Sequence, residues 1–192
     1  MVNIKICGMT NLEDCQTAID LGVDFIGFVF YKKSARYVAP EKVREIVEKI
    51  NGKAKTVGVF VEESEDKIDR LVDFCHLDFA QVYNGSAKDN RISVYRVKDS
   101  LPEVAANGLA LFDSYSEGFG GSGTPFDVNL LKDHGALGRA FIAGGIDEGN
   151  VHRALALKPF GIDFVSSVEK DKGKKDPFKI ERLVRKVRSY QI

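Results

Sequence analysis

The feature that most constrains the fold is a regular alternation of short apolar runs and amphipathic stretches along the 192-residue chain. Most of the apolar runs do not alternate apolar and polar residues, which is typical of strands buried on both faces of a parallel sheet. The predicted strands are eight runs rich in Val, Ile and Phe, at residues 2–6, 24–30, 55–61, 77–83, 92–97, 109–113, 139–143 and 161–167. The chain is therefore predicted to be an α/β protein.

Helical signals fill most of the gaps between these runs. Thr10 and Glu13 have the spacing of a capping box, and they predict a helix that runs to about Leu21. Pro40 is predicted to lie in the first turn of the next helix. Apolar residues three and four positions apart predict one buried face on each of three helices: Val43, Ile46, Val47 and Ile50; Ile68, Leu71, Val72 and Cys75; Ile180, Leu183, Val184 and Val187. The Cys75 thiol is therefore expected to be buried and inert.

Eight strand–helix units in series are the pattern of a closed (β/α)₈ barrel. The spans 84–91 and 98–108 are too short for good helices, so reduced helices are predicted in the fourth and fifth units. The competing fold is an open doubly wound sheet, but "CGMTNLED" lacks the G-x-G-x-x-G that usually follows its first strand. No linker or low-complexity tract interrupts the chain, so residues 1–192 are predicted to form one domain.

Charge and cysteine content narrow the functional classes. The 28 Lys and Arg residues balance the 28 Asp and Glu residues, which gives no electrostatic indication of nucleic-acid or membrane binding. No apolar run resembles a signal peptide or a membrane span, and Cys7, Cys15 and Cys75 lack metal-type spacing. We therefore expect a cytoplasmic protein with free thiols and no metal, nucleic-acid or membrane partner. A chain with no net charge can still contain a local basic pocket, so this balance does not exclude a small anionic ligand.

Three candidate residues follow strands at the end of the barrel where active sites of this fold lie. Cys7 follows the first strand, and its thiolate would be a base or a nucleophile. Asp113 ends the sixth strand, where an apolar interior would raise its pKa and make it a proton donor. Arg36 follows the second strand and is placed to clamp a carboxylate. The structural alternatives are a small buried thiol, a satisfied carboxylate and a solvated loop arginine.

Glycine-rich loops follow the later strands. The stretch "GGSGTPFD" at 120–127 and the pair Gly144-Gly145, ahead of a helix expected near Asp147, offer backbone N–H groups that suit an anion. Phosphate sites after strands seven and eight recur in this fold. The residues predicted to bind phosphate are Gly121, Ser122, Gly123, Gly144, Gly145, Ser166 and Ser167. The alternative is that the glycines only form tight turns.

Six segments together match the pattern of a known family. They read "KICGMTNLED", "GFVFYKKSARYV", "VGVFV", "FDS…GGSGTPFD", "AGGI" and "PFGIDFVSSVE…GKKD". In this order and spacing they resemble the phosphoribosylanthranilate isomerases of tryptophan biosynthesis. The resemblance implies a (β/α)₈ barrel without metal or cofactor, a monomer or homodimer. Its substrate would be N-(5′-phosphoribosyl)anthranilate, converted by an Amadori rearrangement to 1-(2-carboxyphenylamino)-1-deoxyribulose 5-phosphate.

The same resemblance assigns roles to the candidate residues. It implies that Cys7 is the general base, that Asp113 is the general acid and that Arg36 binds the anthranilate carboxylate, with the glycine-rich loops on the phosphate. The chain departs from the family pattern in the short span 84–108 and at Val128, where Trp is usual. It also departs at two positions of the predicted site: Tyr83 stands where His is usual, and Ser167 stands where Gly is usual. Ser167 either blocks close backbone approach to the phosphate or donates a hydrogen bond to it.

Two other functions fit parts of this pattern. One is the related barrel isomerase of histidine biosynthesis, although that enzyme typically has an aspartate near its N-terminus where this chain has Cys7. The other is a non-catalytic barrel that binds a phosphosugar and has diverged after strands four and eight. Retention of both an acid and a base favours the enzyme.

Overall fold

A computed structural model of the protein describes residues 1–83, 88–115 and 126–190. Within these ranges, eight parallel strands close into a barrel in chain order, and the eighth strand pairs with the first. The predicted (β/α)₈ barrel is therefore confirmed. The strands are β1 (Asn3–Ile6), β2 (Phe25–Val29), β3 (Lys55–Phe60), β4 (Phe79–Val82), β5 (Arg91–Val97), β6 (Leu109–Ser114), β7 (Ala140–Ile142) and β8 (Gly161–Phe164).

The described residues contain five α-helices outside the barrel. They are α1 (Leu12–Asp20), α2 (Pro40–Ile50), α3 (Glu65–Cys75), α4 (Val151–Leu155) and α5 (Pro177–Ser189). Pro40 begins α2 as predicted. The predicted capping box at α1 is wrong by one residue, because the side chain of Asn11, not Thr10, accepts the N–H of Asp14. The Thr10 hydroxyl instead donates to the carbonyl of Gly173 at 2.6 Å.

The outer layer is thinner after the middle strands. The described residues that connect β4 to β5 and β5 to β6 form no helix, which agrees with the predicted reduction of units four and five. Unit six is reduced as well, because its described part forms only two short 3₁₀ turns, Val128–Leu131 and Leu137–Arg139. The helix expected near Asp147 begins at Val151, since the Asp147 carboxylate accepts the backbone N–H groups of Gly149 and Asn150.

The predicted helix faces form the shell between the helices and the barrel. Of the residues assigned to these faces, Val47 and Leu71 are only partly buried, and the others are buried. The Cys75 thiol donates to the carbonyl of Pro40, and burial raises its pKa to about 11, so it is inert as predicted. None of the helices in the described ranges combines the length and apolarity that a bilayer crossing requires.

The barrel interior changes character from one end to the other. At the N-terminal end of the strands, the rings of Phe25, Phe141 and Phe160 pack edge to face, with centroids 5.2 Å apart for Phe25 and Phe141. Above this aromatic layer lie Lys5, on β1, and Asp163, on β8, which are paired across the two strands. The C-terminal ends of the strands then open into a cleft. The barrel is therefore filled by apolar rings at the N-terminal ends of its strands and is open and more polar at their C-terminal ends.

Candidate active site

A cleft that is open to solvent lies at the C-terminal ends of the strands. Seven of the residues predicted from the sequence line it: Cys7, Arg36, Asp113, Gly144, Gly145, Ser166 and Ser167. The remaining predicted phosphate ligands, Gly121, Ser122 and Gly123, lie outside the described residues. The structure therefore brings the acid, base, carboxylate and phosphate candidates of the described ranges to one cavity.

Two glycines determine the surroundings of Cys7, which is buried directly after β1. A Cβ atom on Gly27 of the neighbouring β2 would lie 2.9 Å from the Cys7 Sγ, so Gly27 makes room for the thiol. Gly8 has a φ of +76°, and a Cβ atom on it would lie 2.5 Å from the Cδ of Arg36. The Cys7-Gly8 pair therefore lets the arginine cross directly beside the thiol.

A buried ion pair lies below Cys7. Lys5 is on the same face of β1 as Cys7, because side chains alternate along a strand. Its Nζ lies 2.9 Å from the Oδ1 of Asp163, and both side chains are almost fully buried. Burial raises the pKa of Cys7, and the positive charge of Lys5 opposes only part of that rise. The thiol therefore holds its proton at neutral pH in the free protein.

Asp113 behaves as the sequence analysis predicts. Burial, reinforced by the negative charge of Asp163, raises its pKa to about 6. The Ser114 backbone N–H and the Tyr83 hydroxyl, which lies 3.5 Å from the Asp113 Oδ2, lower this pKa by a smaller amount. Tyr83, one of the departures from the family pattern, is thus in contact with the predicted acid.

Arg36 is held by a partner that the sequence analysis did not identify. Its Nε donates to the Oε1 of Glu169 at 2.8 Å, and its Nη2 donates to the Oε2 at 2.7 Å. Burial alone would raise the pKa of Glu169, but the bonds and charges of Arg36 and Lys175 outweigh burial and lower it. Arg36 is therefore a fixed, charged group at the cleft wall rather than a solvated loop residue.

The loops after β7 and β8 form the side of the cleft predicted to bind phosphate. Gly144 and Gly145 have φ values of +81° and +66°, and a Cβ atom on Gly144 would overlap Ser114. These glycines are therefore required by the backbone whether or not an anion binds. The Ser167 Oγ is buried and has no hydrogen-bond partner among the described residues, so its hydroxyl is available to a ligand.

Sequence reasoning missed Lys5, Asp163, Glu169 and Lys175. A signal existed for the first pair, because each is a charged residue inside an otherwise apolar predicted strand. Glu169 and Lys175 lie in a segment after β8 where the sequence shows no clear periodicity. In the described ranges, no group of three or more His, Cys, Asp or Glu side chains is placed to hold a metal ion.

This set of groups suits one kind of chemistry. A buried carboxyl group with a pKa near 6 can donate a proton, and a thiolate can accept one. The two come from strands three places apart around the barrel, so they face different atoms of a ligand between them. An arginine and the glycine loops provide two separate anion contacts. This arrangement is suited to proton transfer at two positions of a small molecule that carries two anionic groups.

Comparison with known proteins agrees with this interpretation. The sequence profile of the N-(5′-phosphoribosyl)anthranilate isomerase family matches residues 4–186. The isomerase of that name from Citrifermentans bemidjiense is 36% identical over 197 residues, which cover 96% of each chain. The crystal structure of the Thermus thermophilus isomerase aligns with a TM-score of 0.86 at 29% identity, over 98% of this chain and 99% of that one.

A further structural relative contains a ligand. It is a phosphoribosylanthranilate isomerase in complex with reduced 1-(o-carboxyphenylamino)-1-deoxyribulose 5-phosphate, with a TM-score of 0.81 and 28% identity over 99% of this chain and 100% of that one. The family match, the high coverage in both directions and the shared barrel agree with one another. The chain belongs to the N-(5′-phosphoribosyl)anthranilate isomerase family.

Proposed function

We propose that the chain converts N-(5′-phosphoribosyl)anthranilate into 1-(2-carboxyphenylamino)-1-deoxyribulose 5-phosphate in tryptophan biosynthesis, with Cys7 as base and Asp113 as acid. Family membership supports the reaction. The observation that carries the assignment of roles is the pairing, in one cleft, of a buried thiol with a carboxyl group whose pKa is about 6. Neither group alone would distinguish a catalyst from a binding protein.

The first step is opening of the ribose ring. Asp113 donates its proton to the ring oxygen, the bond between that oxygen and C1′ breaks, and the lone pair of the anthranilate nitrogen forms a C1′=N double bond. Asp113 can donate this proton because burial raises its pKa, so the carboxyl group stays protonated to a higher pH than an exposed aspartate. The product of this step is a protonated Schiff base.

The second step removes the proton from C2′. The Cys7 thiolate accepts that proton, the C–H electrons form a C1′=C2′ double bond, and the nitrogen regains its lone pair. The resulting enolamine becomes the ketone when its hydroxyl proton is lost and C1′ gains one, so the overall reaction is an isomerisation. Asp113 and Cys7 lie at the ends of different strands, β6 and β1, so they can transfer protons at two different substrate atoms.

Binding is assigned to the two anion contacts. Arg36 would hold the anthranilate carboxylate, and Gly144, Gly145, Ser166 and Ser167 would hold the phosphate, together with Gly121, Ser122 and Gly123. We also propose that residues 1–192 form one catalytic domain that works in the cytoplasm as a monomer or homodimer. The absence of cofactor and nucleic-acid partners stays a prediction.

The test follows the fluorescence of freshly generated phosphoribosylanthranilate in the presence of the wild type, Cys7→Ala and Asp113→Asn. We expect the signal to decay with the wild type, and each variant to lose about 10²- to 10⁴-fold in kcat, the usual contribution of a positioned acid or base. Cys75→Ala, at a buried thiol remote from the cleft, is the matched control and should retain wild-type kcat.

Two outcomes would replace the proposal. Saturable binding of a product analogue without turnover by the wild type would identify a non-catalytic phosphosugar-binding barrel. Turnover of the histidine-pathway aminoaldose in place of phosphoribosylanthranilate would identify the related isomerase. Full activity of Cys7→Ala or Asp113→Asn would remove that residue's role and leave the reaction intact.

A further inference from the structure

The segment that follows β8 contacts both the predicted base and the predicted carboxylate clamp. It forms a two-stranded antiparallel hairpin, β9 (Glu169–Asp171) with β10 (Lys174–Lys175), which we call the β9–β10 hairpin. The family resemblance includes its sequence, "VE…GKKD", but the reaction steps above give it no role. Its Glu169 and Lys175 are both buried.

Glu169 fixes the orientation of Arg36. A guanidinium has two edges that can bind a carboxylate in bidentate fashion, one through Nε and one through the two terminal nitrogens. Glu169 occupies the Nε edge, through contacts of 2.8 and 2.7 Å. The edge formed by Nη1 and the second N–H of Nη2 is the one left for a ligand in the cleft that Arg36 lines.

Lys175 fixes the backbone of Cys7. Its Nζ donates to the Cys7 carbonyl at 2.7 Å, to the Val165 carbonyl at 3.1 Å and to the Glu169 Oε1 at 3.1 Å. An ammonium group has three donors, and all three are used. A fully buried lysine is costly unless it is paired and hydrogen-bonded. These contacts meet that requirement, and they tie the end of β1 to the loop after β8.

The hairpin is itself anchored from outside. The Lys175 backbone N–H donates to the Asp14 Oδ2 at 2.9 Å, and the Thr10 hydroxyl donates to the Gly173 carbonyl at 2.6 Å. The Lys179 Nζ donates to the Glu169 carbonyl at 2.6 Å. Bonds from Thr10, from α1 and from α5 therefore hold the hairpin in addition to its contacts with Arg36 and Cys7.

We propose that Glu169 and Lys175 are positioning residues with separate effects: Glu169 presents the terminal edge of Arg36 to the substrate carboxylate, and Lys175 holds Cys7 in place to remove the C2′ proton. The inference rests on the proposed function. It also explains why a negative charge stands beside an anion-binding arginine: with Lys175 included, the three groups carry a net charge of +1.

The two roles predict opposite kinetic signatures. Glu169→Gln keeps the size of the side chain but removes its charge, so Arg36 loses its fixed orientation, and KM should rise roughly tenfold with little change in kcat. Lys175→Met frees the Cys7 carbonyl, and a small displacement of the base should lower kcat roughly 10- to 100-fold with little change in KM. If the two residues were merely structural, the substitutions would lower the melting temperature without one acting mainly on KM and the other mainly on kcat.

The experiment measures kcat, KM and the melting temperature of the wild type and both variants with phosphoribosylanthranilate. Glu48→Gln is the matched control for Glu169, because Glu48 also accepts the Nε–H of an arginine, Arg44, at 2.9 Å but does so on an exposed helix. Lys186→Met is the matched control for Lys175, because Lys186 also donates to a backbone carbonyl, that of Glu148. Both controls should have wild-type kinetics.

A double-variant cycle isolates the arginine. Glu169→Gln should raise KM in the wild-type background and leave it unchanged in the Arg36→Met background. If Glu169→Gln does not fold, Glu169→Asp replaces it, because aspartate keeps the charge but has a shorter side chain. If Lys175→Met does not fold, Lys175→Arg replaces it. The predicted effects, on KM for Glu169 and on kcat for Lys175, are the same. Active wild type with equal effects of both variants on kcat and KM, or with none, would overturn the inference; an inactive wild type would instead overturn the proposed function.

Discussion

The two walls of the cleft hold carboxyl groups whose pKa values are shifted in opposite directions. On the β8 side, Glu169 lies between Arg36 and Lys175, and these two cations lower its pKa despite burial. On the β6 side, Asp113 faces the neutral Tyr83 hydroxyl at 3.5 Å, and burial raises its pKa to about 6. We therefore propose that the paired wall, which keeps its charge, serves for binding and that the β6 wall, whose carboxyl group keeps its proton to a higher pH, serves for proton transfer.

The shifted pKa values of Asp113 and Cys7 determine which protonation states of this pair are populated. The proposed mechanism needs Asp113 protonated and Cys7 ionised, yet the pKa of Asp113 is only about 6 and burial raises the pKa of Cys7 above its ordinary value. Between these values, the protein therefore exists mostly as carboxylate and thiol. The productive form is a minority whose share is constant between the two pKa values and falls outside them. The lower limb of the pH profile then reports Asp113.

The largest effect is expected for Asp113→Asn, which replaces the titratable carboxyl group of the β6 wall with a neutral amide. We expect kcat to fall about 10²- to 10⁴-fold. Stability should change in the opposite direction: a carboxyl group whose pKa is raised on folding from 3.8 to about 6 destabilises the folded state above pH 6. The variant should therefore gain up to about 3 kcal/mol in the free energy of unfolding at pH 7.

Denaturant unfolding at pH 7 and pH 4 checks this prediction. The gain should be present at pH 7 and should shrink as the pH falls toward 4, where wild-type Asp113 is protonated in the folded state and partly protonated in the unfolded state. Asp127→Asn, at a carboxylate whose side chain caps a 3₁₀ turn, is the control and should not show a gain at pH 7. A destabilised Asp113→Asn at pH 7 would contradict our account of the β6 wall.

The next largest effect is expected for Arg36→Ala, which removes the cation of the paired wall. We expect KM to rise roughly 10- to 100-fold, the usual loss for hydrogen bonds to a charged group, with a much smaller change in kcat. Steady-state kinetics measure both, and Arg44→Ala on the exposed face of α2 is the control. An unchanged KM would show that the substrate carboxylate binds elsewhere.

A smaller effect is expected for Asp163→Asn, which removes the buried negative charge that acts on both Asp113 and Cys7. Asp163 raises the pKa of Asp113, so removal of its charge should move the lower limb of the kcat/KM profile toward lower pH. Because the substrate phosphate titrates in the same range, only the difference from the wild type is informative. The profile is measured well below the melting temperature, since the variant leaves Lys5 buried without its partner. An upward shift would contradict the assignment.

The smallest effect is expected for Tyr83→Phe. The Tyr83 hydroxyl lowers the pKa of Asp113 through a long hydrogen bond, so its removal should move the lower limb upward by less than about one unit. The same kcat/KM profile measures it, beside Tyr190→Phe at the end of α5 as control. A loss of most activity would mean that Tyr83 itself donates a proton to the substrate.

The sequence allowed prediction of those parts of the molecule that depend on local patterns. Strand positions, the closed barrel and the start of α2 at Pro40 follow from periodicity and from residues with fixed backbone preferences. The rim placement of Cys7 and Asp113 follows from the ends of their strands. The helix signals after Gly145 were less reliable, because the Asp147 side chain occupies the N–H groups that a helix start would have left free.

The parts that could not be predicted depend on contacts between distant residues. Glu169 and Arg36 are 133 residues apart, and nothing local in either segment indicates their pairing. The same holds for Tyr83, whose contact with Asp113 depends on the closure of the barrel. Sequence patterns therefore indicated which side chains reach the cleft, whereas the protonation and orientation of those side chains required the structure.

The bond between Lys175 and the Cys7 carbonyl joins residues that are synthesised far apart in time. They are separated by 168 positions, which the ribosome covers in about 10 to 30 seconds at typical elongation rates. β1 likewise gains one of its two neighbours only when β8 has emerged. The thiol proposed as the base therefore emerges long before the lysine and the strand that enclose it, so the nascent chain carries it exposed to oxidants until the barrel closes.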